Sequence, residues 1–161
     1  LSLCEDNIFR KKFKYAFVGI GNAKIRLFWL KKIMSLGYEC PVLIHQNAWV
    51  SPSSNIGKGT VVMPNSVIMT NSKIGLGCII NTSSTIDHDC ILERGVHIAP
   101  GCNLAGNITI KEKTMIGIGS NIIQGLTIGS NVMVGAGSTV IKNIKSNEIV
   151  AGNPASTIYK K

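Results

Sequence analysis

Val62-Met-Pro-Asn-Ser-Val-Ile68-Met-Thr-Asn-Ser-Lys-Ile74-Gly-Leu-Gly-Cys-Ile-Ile80-Asn-Thr-Ser-Ser-Thr-Ile86 places a branched aliphatic at every sixth position. The beat extends back to Val50 and Ile56. It runs on through Leu92, Ile98, Leu104, Ile110, Ile116, Ile122, Ile128 and Val134 to Val140, sixteen positions without a skip. A helix repeats at 3.6 residues and an ordinary strand at 2, so neither calls for a strict six. A six-residue beat marks a parallel β-helix in which each hexad forms one short strand and one corner. The chain is therefore mainly β, and residues 49–143 form a rod whose chemistry must sit on the outside.

At three hexads per coil the rod has a little over five coils. With ~4.8 Å between neighbouring strands it stands roughly 25 Å tall. Tight left-handed corners favour Gly and Asn, which points to Gly57, Gly59, Asn65, Gly77, Gly101, Asn103, Gly119 and Asn131. Cys78, Cys90 and Cys102 each lie two residues before a ladder aliphatic. Thr60, Ser66, Ser72, Ser84, Thr114, Ser120 and Ser138 take that place elsewhere. Small side chains at one repeating position predict inward packing. The open ends and flat sides of such a rod also predict self-association.

Residues 1–48 lack the beat. Tyr15-Ala-Phe-Val-Gly-Ile20 reads as a strand, 23–36 as an amphipathic helix stopped at Gly37, and Val42-Leu43-Ile44-His45 as a second strand. That is one βαβ unit, a partial Rossmann-like segment before the rod. Residues 144–161 leave the beat again and read as a C-terminal cap. There Ala151-Gly-Asn-Pro154 forms a turn, and Ile158 and Tyr159 cover the open end.

The net charge of +9 suits anionic small molecules. The first 48 residues hold eight of the 17 Lys/Arg, Arg10 among them, against three acids. Nucleic acid is not expected as a partner, because no stacking aromatics are interleaved with the cations. Five dispersed cysteines without a C-x-x-C pair predict reduced thiols, a cytoplasmic protein and no metal. Residues 1–10 show neither the order nor the cleavage site of a signal peptide, and no apolar run is long enough to span a bilayer.

The one departure from a bland rod is Asp87-His88-Asp89 with His97. A carboxylate beside a histidine holds one tautomer and raises its basicity, as a general base requires. His88 and His97 are nine residues apart, half of an eighteen-residue coil, so they do not stack within one chain. A groove between neighbouring rods can bring one from each together; two separate surface histidines remain the alternative. A trigonal zinc site needs three imidazoles within about 2.1 Å of one ion. The only other histidine, His45, lies before the rod.

Ile80-Asn-Thr-Ser-Ser-Thr-Ile-Asp-His-Asp-Cys90, His97-Ile-Ala-Pro-Gly101 and Leu104-Ala-Gly-Asn107 resemble a specific family. So do Phe17-Val-Gly-Ile-Gly-Asn22, Ile25-Arg26, Leu43-Ile-His45 and Val150-Ala-Gly-Asn-Pro-Ala155. The family is the left-handed β-helix sugar acetyltransferases, comprising the sialic acid O-acetyltransferases and the UDP-4-amino-sugar N-acetyltransferases. The left hand of the helix follows from this resemblance.

The resemblance implies acetyl-CoA as co-substrate, a nucleotide-sugar or sugar acceptor, a homotrimer, and a role in bacterial surface glycan synthesis. It implies His88 as the general base, Asp89 as its orienting partner ahead of Asp87, and Asn81 and His97 at the acceptor. Gly106 would offer its N–H to the thioester carbonyl. Ile118, Gly135 and Ala136 would hold the coenzyme arm, and Lys142 a coenzyme phosphate. Direct transfer through a tetrahedral intermediate is expected, without an acyl-cysteine, because Cys90 points inward. Family members open with a strand and a Gly-Gly-His loop that this chain does not show. The resemblance therefore implies that residues 1–48 are an acceptor-binding segment shortened at the front. The alternatives are an inactive β-helix scaffold or binding module, and an acyltransferase with a non-sugar acceptor.

Overall fold

The computed structural model describes residues 11–160. Arg10, Cys4 and the opening residues 1–10 lie outside the described residues. Seventeen two-residue strands follow one another from β1 (Leu43–Ile44) to β17 (Thr139–Val140). In each, the first residue faces out and the ladder aliphatic faces in, buried from β4 (Val61–Val62) onward. Each strand from β1 to β14 pairs in parallel with the strand eighteen residues on. Thus β10 (His97–Ile98) lies between β7 (Ile79–Ile80) and β13 (Met115–Ile116). Three sheets of eight, six and five strands, parallel except for the last strand of the first, close the prism, a left-handed parallel β-helix. Here these sheets are the first, second and third faces.

The corners keep the same beat. Fourteen successive positions, every sixth residue from Gly59 to Gly137, have φ between 56° and 74°. Six of them are Asn, Asp, Ser or Lys at 65, 71, 83, 89, 107 and 113, and Asn131 makes a seventh. Two expected corner residues are not corners. Gly57 is needed because a Cβ there would lie 2.6 Å from the Gly75 carbonyl carbon. Asn103 opens β11 (Asn103–Leu104), where its Nδ2 donates to Asn121 Oδ1 at 2.9 Å.

The inward hydroxyls and thiols are buried, and each finds a carbonyl within the rod. Thr60 Oγ1 donates to Gly75 O (2.9 Å) and Cys78 Sγ to Glu93 O (3.2 Å). Burial pushes the Cys78 thiol up to about 12. Cys40, Cys78, Cys90 and Cys102 are unpaired and buried.

The N-terminal segment differs from the expected βαβ unit. Helix α1 (Ala23–Ser35) forms where expected. Asn22 Oδ1 caps it by accepting from Ile25 N at 3.1 Å, and Gly37 ends it at φ 91°. Tyr15, however, makes a single parallel bridge to Glu39. The strand expected as its partner, Leu43–Ile44, pairs instead with Val61–Val62 as the first rung of the rod. His45 is also on the rod, its N–H donating to Val62 O. Helix α1 docks on a column of left-handed corner glycines. A Cβ at Gly59 or Gly77 would lie 2.5 Å from a Leu30 methyl, and one at Gly95 2.8 Å from Leu27.

At the other end Ile144 bridges Ile128, four residues after Val140, so the last coil is short. β18 (Glu148–Gly152) then pairs in parallel with β16 (Met133–Val134) and turns at Asn153-Pro154 into antiparallel β19 (Ala155–Lys160). Ile158 and Tyr159 stay exposed on this hairpin and do not cover the core, contrary to expectation. On this hairpin it is Val150 and Ala155 that are buried.

Candidate active site

His88 stands on the corner between β8 (Thr85–Ile86) on the second face and β9 (Ile91–Leu92) on the third. Its backbone N–H donates to Asp87 Oδ1 at 2.8 Å. Its ring Nδ1 lies 2.8 Å from Asp89 Oδ2. An ionised carboxylate only accepts, so Nδ1 carries the proton and Nε2 keeps its lone pair. The Asp89 hydrogen bond raises the pKa of His88 above its ordinary value, and the charge of Asp87 adds to it. The same bond lowers Asp89. Asp89 occupies a left-handed corner at φ 58°, a conformation that Asp and Asn tolerate best after Gly. That corner turns its carboxylate back along the imidazole.

Gly106 lies one coil beyond His88 on the same corner. A Cβ there would stand 2.6 Å from His88 Nε2 and Cε1, so the missing side chain is the space the imidazole occupies. The N–H of Gly106 donates to no acceptor among the described residues. The corner therefore brings a free basic nitrogen and a free main-chain donor together, as proton abstraction next to a carbonyl requires. Exposed Lys142 stands on this corner three coils from His88, about 14 Å along the axis at the usual strand spacing.

Ile118 and Ala136 stack on a different corner, between the first and second faces. Both are exposed, and neither N–H has an acceptor among the described residues. Gly135 departs from the expected pattern. Its N–H donates to Val150 O and its carbonyl accepts from Ser120 and Ser138, so both groups serve the rod. A Cβ there would lie 2.7 Å from the Ala151 methyl.

Asn81 and His97 meet on the first face, with Asn81 Nδ2 3.4 Å from His97 Nε2. Asn81 Oδ1 accepts from Thr82 N at 2.8 Å, which fixes the amide so that it donates to His97. Burial, and then the charge of Arg26, lowers the pKa of His97, which favours the neutral ring; accepting from Asn81 at Nε2 leaves the proton of that neutral ring on Nδ1. His97 lines a cavity of about 470 Å³ with Gly21, Asn22, Lys24, Lys113 and Met133. His88 is not among the residues of that cavity. Within one chain the two histidines thus serve separate places.

Sequence reasoning missed Asn71, whose Nδ2 lies 3.4 Å from Asp89 Oδ1, and the cations Lys24 and Lys113. Asn71 is one coil of eighteen residues before Asp89, so the coil length was the available signal. Among the described residues no three His, Cys, Asp or Glu are grouped to hold a metal, and no helix is long and apolar enough to cross a membrane.

No family model and no curated protein sequence matches the chain. Solved structures do. The acetyltransferase domain of PglB from Neisseria gonorrhoeae, in complex with acetyl coenzyme A, is 44% identical with a TM-score of 0.89 over 89% of this chain and 70% of that one. PerB from Caulobacter crescentus, in complex with CoA and GDP-perosamine, is 34% identical with a TM-score of 0.94 over 98% and 75%. WeeI from Acinetobacter baumannii is 30% identical with a TM-score of 0.86 over 91% and 71%. A histidine-to-asparagine variant of the Caulobacter perosamine N-acetyltransferase matches equally well, with a TM-score of 0.94.

Proposed function

The chain belongs to the left-handed β-helix sugar acetyltransferases, and from that premise we propose that it transfers acetyl from acetyl-CoA to an amino group of a nucleotide-activated sugar. The observation that carries this is the His88–Asp89 pair facing Gly106, where Nε2 is free and no side chain stands in its way. Acetyl-CoA supplies an activated thioester, so the protein needs to provide position, a base and an oxyanion donor. In this reading the acceptor amine gives its proton to His88 Nε2 as it attacks the thioester carbonyl. Asp89 holds the ring and stabilises the imidazolium that forms. The Gly106 N–H faces the developing oxyanion, and the imidazolium returns the proton to the departing thiolate. The sulfur of Cys90 takes no part: it is buried and donates to Ala105 O at 3.3 Å.

For the donor, Gly106 carries no side chain beside the imidazole, Ile118 and Ala136 have open N–H groups, and Lys142 offers a cation. These residues fall on two corners of one rod. A groove between two rods unites them, and that is the reason to assign a homotrimer with three shared sites. Supporting it, exposed Ile123 and Ile141 sit on successive coils beside the His88 corner, in the register that also holds Asp87 and Ala105. Asn81 and His97 are assigned to the acceptor. A cytoplasmic location belongs to the same reading, supported by four unpaired cysteines. So does a place in bacterial surface glycan synthesis.

The test is free-thiol release from acetyl-CoA against UDP-, GDP- and dTDP-linked amino sugars, with His88→Ala alongside. Release with an amino-sugar acceptor that falls by about 10²–10⁴ in the variant is expected of a general base. Undiminished release by His88→Ala would overturn the assignment.

A further inference from the structure

Arg26 is the one fully buried arginine or lysine among the described residues, 1% exposed, and it pairs with no carboxylate there. Its donors go to four main-chain carbonyls. Nη1 serves Ile20 (2.9 Å) and Gly21, Nε serves Gly77 (2.7 Å), and Nη2 serves Gly95 (2.9 Å). Burying a guanidinium without a counter-ion is costly, and hydrogen bonds offset that only in part. Docking α1 does not need it, because Leu27 and Leu30 already fill the seam with apolar contacts. What the guanidinium adds is direction. Its planar fork sets two carbonyls of the 19–22 loop at a fixed place against two corners of the rod.

Those corners are not arbitrary. Gly77 comes two residues before β7, whose far end leads into Asn81, and Gly95 comes two residues before His97. The loop so anchored runs beside the Asn81–His97 contact. Gly21 lines the cavity that holds His97 and also the smaller one that holds Asn81. From the other end the Asn22 cap fixes the same loop to α1.

We propose that Arg26 is a positioning residue for the sugar acceptor, holding the 19–22 loop as the wall opposite His97. The role rests on the reading above that the acceptor occupies the Asn81–His97 side. It predicts a loss confined to one substrate, as expected when a binding wall shifts and the chemical step is untouched.

The experiment is steady-state kinetics of Arg26→Met and Arg26→Lys against both substrates, with Leu30→Ala as a control that loosens the same seam and leaves the loop's hydrogen bonds to Arg26 in place. In Arg26→Met the KM for the amino-sugar nucleotide should rise about tenfold to a hundredfold, while the KM for acetyl-CoA stays within about twofold. Arg26→Lys should recover part of the loss, and Leu30→Ala should lower Tm without raising the acceptor KM. If Arg26→Met does not fold, Arg26→Lys carries the same split at smaller size. Equal rises in both KM values, or an acceptor KM raised equally by Leu30→Ala, would reduce Arg26 to a structural brace. An unchanged acceptor KM in a folded variant would overturn the role alone. Silence of the wild-type protein with every acceptor would overturn the proposed function, and this role with it.

Discussion

Replacing Gly106 by Ala should separate catalysis from stability. The added Cβ would stand 2.6 Å from His88 Nε2 and Cε1 and 3.1 Å from Cδ2. Carbon contacts settle near ~3.5–4.0 Å, so the imidazole must retreat by about 1 Å. The fold permits this, because the His88 side chain is 58% exposed and only its far end is touched. Gly106 does not use a left-handed φ, so Ala costs the backbone nothing there and restricts the unfolded chain. Stability should hold or rise by ~0.4–1 kcal/mol. Catalysis has no such freedom. A misplacement of about 1 Å at a reacting group costs on the order of 10²-fold, or about 2.7 kcal/mol in the barrier.

Thiol release measured beside a thermal melt gives both numbers. The double variant His88→Ala/Gly106→Ala should lose little beyond His88→Ala, because the methyl acts through the imidazole it displaces. Turnover of Gly106→Ala within about threefold of wild type would refute the steric account. So would a double variant about tenfold or more below His88→Ala.

Asp89→Asn keeps a residue that accepts the left-handed corner, so the fold should survive. The carboxylate raises the pKa of His88, and the rate needs the neutral ring. Its loss should therefore move the acid limb of the kcat/KM profile to lower pH, toward ~6.5, and lower the plateau. A limb that stays in place would show that another group titrates. Cys90→Ser should retain turnover, whereas a trapped acyl group on Cys90 in the wild-type protein would contradict direct transfer. Ile98→Ala, at a fully buried rung, should cost about 2–5 kcal/mol in denaturant unfolding. Exposed Ile158→Ser should stay within ~0.5 kcal/mol.

The rod was legible because each hexad has one interior place that only a branched aliphatic fills well. Ile44 sits six residues before Val50 and belongs to the same ladder, yet its sequence context reads as part of a separate unit. The apolar run of Val42, Leu43 and Ile44 directly follows a helix, and that context imitates a βαβ strand. The C-terminal end misled for a different reason. The shortened last coil steps from Val140 to Ile144 to Val150, which breaks the beat while the stacking continues.

At the site, His88 and Asp89 were legible because neighbours on a tight corner interact directly. Asn71 was not, since it reaches Asp89 only through the coil length. Arg26 was visible as part of a motif, but its partners were not. Gly77 and Gly95 lie 51 and 69 residues away and offer carbonyls, which carry no side-chain signature.

The coil length also restricts how such a chain can be lengthened. An added hexad would leave every ladder aliphatic pointing inward, so the core would not register the change. The exterior would, because everything downstream would turn by a third of a revolution. Placed between His88 and Gly106, it would carry Gly106 away from the imidazole and Lys142 off their common edge. Eighteen added residues restore the angle and displace the far part along the axis by one strand spacing, ~4.8 Å. Distances between functional groups on this scaffold therefore change in steps, like positions on a toothed rack. Along the rod, the reach between two such groups is reset by a whole coil or trimmed by a single side chain.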